Sequence, residues 1–266
     1  MLTTGDRVRD YVVDGVVGHG GSATVYRAHH ADDPGAAVAL KVLDDHHRDN
    51  VHLARLAREY DFAGTCRHPH IVAMTERGPY WLAMELLTGG PVSGLTDRAD
   101  ILVALGQIAA ALDFAHSLGV VHCDVKPTNI LLSEHFSDRG AVLVDFGVAR
   151  ALTDHLGRDI THIEASLPYT APEVLYGRTP TAATDLYALA CTAVELLTGA
   201  TPFTRSTTFA LADDHLRSPV PTFSRRIDWA THAFDSILAK AMAKDPELRY
   251  DTCTEFVTLI TRALPV

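Results

Sequence analysis

Two short polar motifs, set apart by two apolar runs, constrain this chain more than any other feature. His122-Cys123-Asp124-Val125-Lys126-Pro127-Thr128-Asn129 places an acid, an ammonium and an amide within six positions, and its proline holds the stretch in a loop. Asp145-Phe146-Gly147 follows, a second acid ahead of a glycine. Between them, 129–132 and 141–144 read as short strands, each delivering a polar residue at one end. Side by side, these strands bring Asn129 and Asp145 to one place. The set suits phosphoryl transfer: one carboxylate accepts the proton of an attacking hydroxyl, the lysine neutralises charge, and Asn and Asp share Mg²⁺.

The rest of the chain surrounds this centre with a second set of signals. The apolar run from Tyr11 to Val17 ends in Gly18-His19-Gly20-Gly21-Ser22-Ala23-Thr24-Val25, a hairpin whose glycines let backbone N–H groups approach an anion. Ala36 to Leu43 is an apolar strand interrupted by Lys41 alone, and a buried ammonium requires a partner. Over 50–64, Leu53, Leu56, Tyr60 and Ala63 recur at helical spacing, and Glu59 shares their side, either as that partner or as a surface pair with Arg55. Two further strands are expected over 71–76 and 80–87, joined by a turn at Gly78-Pro79.

From Arg98 onward the pattern turns helical. Ile101, Leu105, Ile108, Leu112 and Ala115 give a long amphipathic helix stopped at Gly119, and 186–197 is apolar nearly all round, as a central buried helix should be. Two more helices are expected, over 230–243 and 254–264.

The order of an H-x-D-x-K-P-x-N loop, Asp145-Phe146-Gly147 and Ala171-Pro172-Glu173 resembles the eukaryotic-like serine/threonine protein kinases, bacterial members above all, over nearly all 266 residues. The resemblance implies an α+β, bilobal protein-kinase-like fold. One catalytic domain would fill 1–266: an N-lobe over 1–87, with a small antiparallel sheet and one helix, and a larger, mainly helical C-lobe over 88–266. It implies an enzyme that moves the γ-phosphoryl of MgATP, with Mn²⁺ as an alternative metal, to Ser or Thr hydroxyls of proteins, itself included.

Residue by residue, the resemblance assigns Asp124 as base, Lys126 as charge stabiliser, Lys41 as the phosphate grip with Glu59 as its partner, and Asn129 and Asp145 as metal ligands. Around the nucleotide it places Val17, Gly18, Gly20, Gly21, Ala23, Val25, Ala39, Leu131 and a gatekeeper Met84. Glu85, Leu86 and Leu87 form the hinge, whose backbone would pair with adenine. Asp185 resembles the residue that braces the catalytic loop, Arg249 the partner of Glu173, and Ser166 a hydroxyl that bonds the catalytic Asp and Lys. Asp-x-Lys-Pro-x-Asn favours Ser/Thr over Tyr specificity.

Three departures stand out: Ala23 for the third glycine, which should stiffen that loop, Ser166 for a threonine, and Cys123 for an arginine. They motivate a rival reading, a nucleotide-binding pseudokinase or scaffold. Cys123 also implies weak dependence on phosphorylation of Thr153, Thr161 or Ser166, whose phosphate would have to find another cation, such as Arg150 or Arg158, for a small gain.

Composition bounds the partners. A net charge of −10 disfavours nucleic acid, and 47% hydrophobic content suits a globular core. Cys66, Cys123, Cys191 and Cys253 are widely spaced without C-x-x-C, and no signal-peptide pattern opens the chain, so a cytoplasmic location is expected. No uninterrupted apolar run reaches the ~18 residues of a membrane span. A homodimer is compatible with the sequence. His29, His30, His46, His47 and His52 read as solvated loop residues without the carboxylate company of a metal site.

Overall fold

The computed structural model describes residues 1–151 and 166–264. Thr153, Thr161 and Arg158 therefore lie outside the described residues, and Arg150 is described by its backbone alone.

A six-stranded antiparallel sheet forms the small lobe, in the order β1-β2-β3-β4-β6-β5. Its strands are β1 (Arg7–Val8), β2 (Tyr11–His19), β3 (Ala23–His30), β4 (Asp33–Leu43), β5 (Met74–Arg77) and β6 (Trp81–Glu85). Alternation sorts the side chains to two faces. Tyr11, Val13, Tyr26, Leu40 and Trp81 pack on one, and Ala23, Leu43 and Leu82 on the other, where Leu56 of helix α1 (Asn50–Thr65) covers them. The Asp49 carboxylate caps α1 by accepting from the N–H groups of Val51 and His52. The methyl of Ala23 thus belongs to the core beneath the glycine hairpin, where it serves packing rather than stiffening an open loop.

Two strands are shorter than their apolar runs. Ile71 and Val72 leave the sheet to bridge the lobes: Ile71 pairs with Leu143, and the Val72 N–H donates to the Leu143 carbonyl at 3.0 Å. Beyond Glu85 the chain crosses between lobes at Gly89, whose N–H bonds the Leu132 carbonyl at 3.1 Å. A Cβ there would lie 2.1 Å from the Ser133 carbonyl oxygen, so only glycine fits.

In the large lobe, α2 (Arg98–Ser117) buries Ile101, Leu105, Ile108, Leu112 and Ala115, and Gly119 follows it at φ +76°. By length and composition α2 is apolar enough to cross a membrane; here it is the inner helix of the lobe, packed on α4 (Ala182–Thr198) and α7 (Cys253–Ala263). The Asp113 carboxylate of α2 accepts from the N–H groups of Cys253 and Thr254, tying the start of α7 to it. Helix α4 is buried on every side from Thr184 to Val194 and ends at Gly199. Helix α6 (His232–Ala241) completes the expected set, and a short α3 (Pro172–Leu175), not read from the sequence, follows Ala171.

One helix, α5 (Thr208–Arg217), has no counterpart in the sequence reading. Its buried residues are Asp214 and His215, so the face that packs inward is polar and leaves no apolar period to read.

The expected strand pair is present as β8 (Ile130–Leu132) and β9 (Ala141–Leu143), antiparallel with Ile130 opposite Leu143. Preceding it, β7 (Val120–Val121) pairs with β10 (Arg150–Ala151), closing the chain around both polar motifs.

Candidate active site

Residues 122–129 leave β7 under the control of Asp185. Its carboxylate accepts from the N–H groups of His122 at 2.7 Å and Cys123 at 2.8 Å, and pairs with His116 Nε2 at 2.7 Å. Burial raises the Asp185 carboxyl, and the bonds from His116 and His122 more than reverse it, so it stays below the ordinary carboxylate range. Cys123 takes φ +67°, a left-handed conformation that β-carbons resist and the Asp185 bonds impose. The buried His122 imidazole accepts from the Asp124 N–H at Nδ1, 3.3 Å, and turns Nε2 to the Val144 carbonyl at 3.2 Å.

Asp124 is held from three directions. Lys126 Nζ lies 2.8 Å from Oδ2, Asn129 Nδ2 donates to Oδ2 and to the Asp124 carbonyl at 2.9 Å each, and the Ser166 hydroxyl donates to Oδ1. Lys126 Nζ also donates to Ser166 Oγ at 2.8 Å. Thr170, the neighbour most easily confused with Ser166, turns its hydroxyl to the Ser166 carbonyl at 2.9 Å.

Across the cleft, Lys41 Nζ donates to both Glu59 oxygens, at 2.8 and 2.7 Å, and to Asp145 Oδ1 at 3.1 Å. The surface alternative for Glu59 is displaced, since Glu59 is buried. Burial first, then the Asp145 charge, push the Glu59 carboxyl up to about 7 against the pull of Lys41. Burial works to lower the Lys41 ammonium, and Asp145 and Glu59 more than reverse it, leaving it well above the usual lysine value. The same ammonium holds Asp145 down to about 2. Asp145 sits at φ +67°, and Phe146 is fully buried edge-on to His122, with ring centroids 4.7 Å apart. The Val144 N–H donates to the Asn129 carbonyl at 2.9 Å, so the residue before Asp145 is tied to Asn129 as the strand pairing implied.

Two observations test the site against the ligands such a set takes. Asn129 spends its amide N–H groups on Asp124, which leaves Oδ1 as donor beside the Asp145 carboxylate; two hard oxygens suit Mg²⁺. Gly18 and Gly21 have no positive φ, and a Cβ on either would meet nothing within 4 Å. Neither packing nor backbone conformation asks for glycine there. Room for a polyphosphate against the backbone does.

Around the base, Ala39 lies opposite Met84, and Val25 opposite Lys41, in the sheet register. Ala39 and Met84 are buried, Val25 and Leu131 half-buried, Val17 exposed, and Leu86 and Leu87 pack on the core. The Glu85 N–H is committed to the Ala73 carbonyl at 3.0 Å, which leaves base pairing through an N–H to Leu86 and Leu87.

Arg249 forms a bidentate pair with Glu173, at 2.8 and 2.7 Å, fully out of water. His116 and Arg139, both joined to site residues, were not singled out in the sequence: one ends an apolar helix and the other lies in a polar turn. The histidines correct one expectation. His29 and His30 end strand β3, and carboxylates do accompany three rings, Asp14 on His29 at 2.9 Å, Asp32 on His30 at 3.9 Å and Asp49 on His52 at 2.7 Å. Asp113, His116 and Cys253 cluster within metal-ligand reach, but the Asp113 oxygens are spent on α7 and His116 on Asp185.

Comparison with known proteins agrees with this geometry. The protein kinase domain family model matches residues 11–258. The serine/threonine-protein kinase PknJ of Mycobacterium tuberculosis is 40% identical over 276 aligned positions, covering 99% of this chain and 47% of that protein. PknF of the same species is 36% identical over 278, covering 99% of this chain and 58% of PknF. The chain thus spans about half the length of these curated relatives. The crystal structure of the Mycobacterium tuberculosis PknI kinase domain superposes with a TM-score of 0.75 at 30% identity, covering 99% of each chain.

Proposed function

This chain belongs to the protein kinase family, and we propose that it transfers the γ-phosphoryl of ATP to Ser or Thr hydroxyls of proteins, its own among them. The observation that carries the reading is the grip on Asp124: one carboxylate held by Lys126, Asn129 and Ser166 at the mouth of a cleft that also holds Lys41 and Asp145.

Asp124 orients an incoming hydroxyl and takes its proton. Lys126 stands within reach of the charge that develops as the phosphoryl moves, and Ser166 keeps acid and ammonium in one geometry. Lys41, fixed by Glu59, offers its ammonium to the phosphates. Asn129 and Asp145 would hold Mg²⁺, or Mn²⁺ in its place, which when bound neutralises phosphate charge. The glycine hairpin at 18–23 supplies N–H groups, and Val25, Ala39, Met84, Leu87 and Leu131 an apolar slot for the base. The presence of every one of these groups weighs against a domain that binds nucleotide without turnover.

The test is incorporation of labelled γ-phosphate into the chain and into a generic protein substrate, with the acceptor residues identified by mass spectrometry. Asp145→Asn is expected to abolish transfer while leaving the thermal transition within a few degrees of wild type. Near-normal turnover of that variant at saturating Mg²⁺ overturns the metal assignment, and phosphate found only on tyrosine overturns the specificity.

A further inference from the structure

Arg139 lies in the turn between β8 and β9, outside every motif that marks the active site, yet its guanidinium is engaged on all three nitrogens. Nε donates to the Pro69 carbonyl at 2.6 Å, Nη2 to Glu85 Oε1 at 2.9 Å and toward the Ile71 carbonyl at 3.5 Å, and Nη1 to Glu85 Oε2. Glu85 is fixed in turn by the Ala73 N–H, which donates to Oε1 at 2.7 Å. One side chain therefore joins three segments: the end of β6 where the hinge begins, the crossing loop at 69–73, and the hairpin whose two ends carry Asn129 and Asp145.

The backbone already ties these in series, the Glu85 N–H donating to the Ala73 carbonyl at 3.0 Å and the crossing loop pairing with β9. Val72 and Leu143 share a hydrogen bond, as do Leu143 and His70, so the crossing loop stays on β9 without Arg139. What the guanidinium adds is the fork to Glu85, the residue next to Met84 on the strand that borders the base slot. Planar bidentate pairing fixes orientation as well as distance.

We infer that Arg139 is a positioning residue for the nucleotide: through Glu85 it sets the hinge in register with the hairpin that presents the metal ligands. The inference rests on the ATP-dependent reading above. It assigns to Arg139 the direct side-chain link between Glu85 and the hairpin; among the described residues the backbone joins Glu85 to the hairpin only through Ala73 and the crossing loop, while the later hinge meets it at Gly89. Arg139 also lines a cavity of about 780 Å³ behind α1, with Tyr60, Cys66 and Met74, so shorter side chains are accommodated there without a clash.

The experiment measures ATP affinity by displacement of a fluorescent ATP analogue, steady-state rates and thermal unfolding for wild type, Arg139→Ala, Arg139→Lys and Arg139→Ala with Glu85→Gln. Arg139→Ala is expected to weaken ATP binding and raise KM for ATP by about tenfold while kcat stays within about twofold. Arg139→Lys recovers part of the affinity, because one ammonium still reaches Glu85 but cannot also serve the Pro69 and Ile71 carbonyls. The double variant is no weaker than Arg139→Ala alone, since the two residues act as a unit. An Arg139→Ala protein with unchanged affinity overturns the inference. So does one whose affinity, kcat and melting temperature fall together without rescue by lysine, which marks a merely structural role. A wild-type chain that binds no ATP overturns the functional reading along with this one, whereas wild-type binding and transfer with an indifferent Arg139 removes this inference alone.

Discussion

Lys41 and Glu59 lie on different elements, β4 and α1, eighteen positions apart, yet both oxygens of the carboxylate lie within 2.8 Å of the one ammonium. The pair is nearly out of water, with 16% of the Lys41 side chain and 3% of the Glu59 side chain exposed. Truncating one member of such a pair strands the other, a loss of about 3–5 kcal/mol where burial is complete. Lys41 keeps a second partner in Asp145, so the loss should be smaller for Glu59→Ala than for Lys41→Ala. The activity of the double Ala variant is expected to sit close to that of Lys41→Ala. Additive losses in the double-mutant cycle break the pairing.

Ser166 bonds both Asp124 and Lys126, the two residues proposed to do the chemistry, which makes its hydroxyl the next point of test. Ser166→Ala removes a donor to Asp124 and an acceptor for Lys126 at once, and about a tenfold loss in kcat is expected with little change in KM for ATP. Ser166→Thr keeps the hydroxyl and is expected to recover most of it. Thr170→Ala, which removes a hydroxyl bonded to the Ser166 carbonyl, is the control. Equal kcat for Ser166→Ala and wild type dissolves the assignment.

Where the sequence was legible, the reason is that chemistry and periodicity coincided. A lone lysine in an apolar strand demanded an anion, and Glu59 stood on the apolar side of the next helix; the family resemblance then chose Lys41 over Arg55 as its partner. The hairpin of β8 and β9 was readable because two apolar runs end in Asn129 and Asp145. Illegible parts fall into two kinds. Helix α5 turns polar residues inward, so no apolar stripe announces it; Arg205 and Asp214 do its work through an ion pair bonded at 2.5 and 3.2 Å. Arg139 and His116 act through tertiary contacts 54 and 69 positions away, on Glu85 and Asp185, and nothing in a local window marks them. The 71–76 run read as strand because Ile71 and Val72 are apolar, yet they are apolar for the lobe interface rather than for the sheet.

His215 gives the large lobe a defined response to acid. It is fully buried on α5, shares a hydrogen bond with the Tyr187 hydroxyl at 2.9 Å and packs on Phe203 with ring centroids 5.0 Å apart. Burial pushes its pKa down to about 4, with Lys244 adding to the shift. Between that value and an unfolded value of about 6.5, the unfolded chain binds a proton that the folded chain refuses. Stability is therefore complete above about 6.5 and is lost as pH falls toward 4, by an amount on the order of 3 kcal/mol. His215→Phe keeps the ring and removes the titration, so its denaturant midpoint, lower overall for want of a partner to Tyr187, should vary less across that window. Equal pH slopes for the two proteins contradict this account.

Cys123 bears on how the enzyme is switched. In most members of the family an arginine precedes the catalytic acid, and a buried guanidinium so close to carboxylates calls for a phosphate on the activation segment. Here the position carries a thiol at φ +67°, held through its backbone N–H by Asp185, with Sγ 3.6 Å from the Val121 carbonyl. A thiol lacks the guanidinium's charge and so does not call for an anion, which removes the charge pairing by which an arginine here would couple loop phosphorylation to the seating of Asp124. Phosphatase-treated and untreated enzyme should then differ by less than about tenfold in initial rate on an added substrate, about 1.4 kcal/mol of barrier. Cys123→Arg should create the dependence that the natural chain lacks: a lower rate when dephosphorylated, recovered on phosphorylation. Cys123→Gly separates charge from conformation, because glycine adopts the left-handed backbone freely and leaves the loop uncharged, and it is expected to keep both activity and phosphate independence. A loss of a hundredfold or more on dephosphorylating the natural enzyme, roughly 2.7 kcal/mol, would show that a loop phosphate orders Asp124 by another route and that Cys123 is not what frees this site from it.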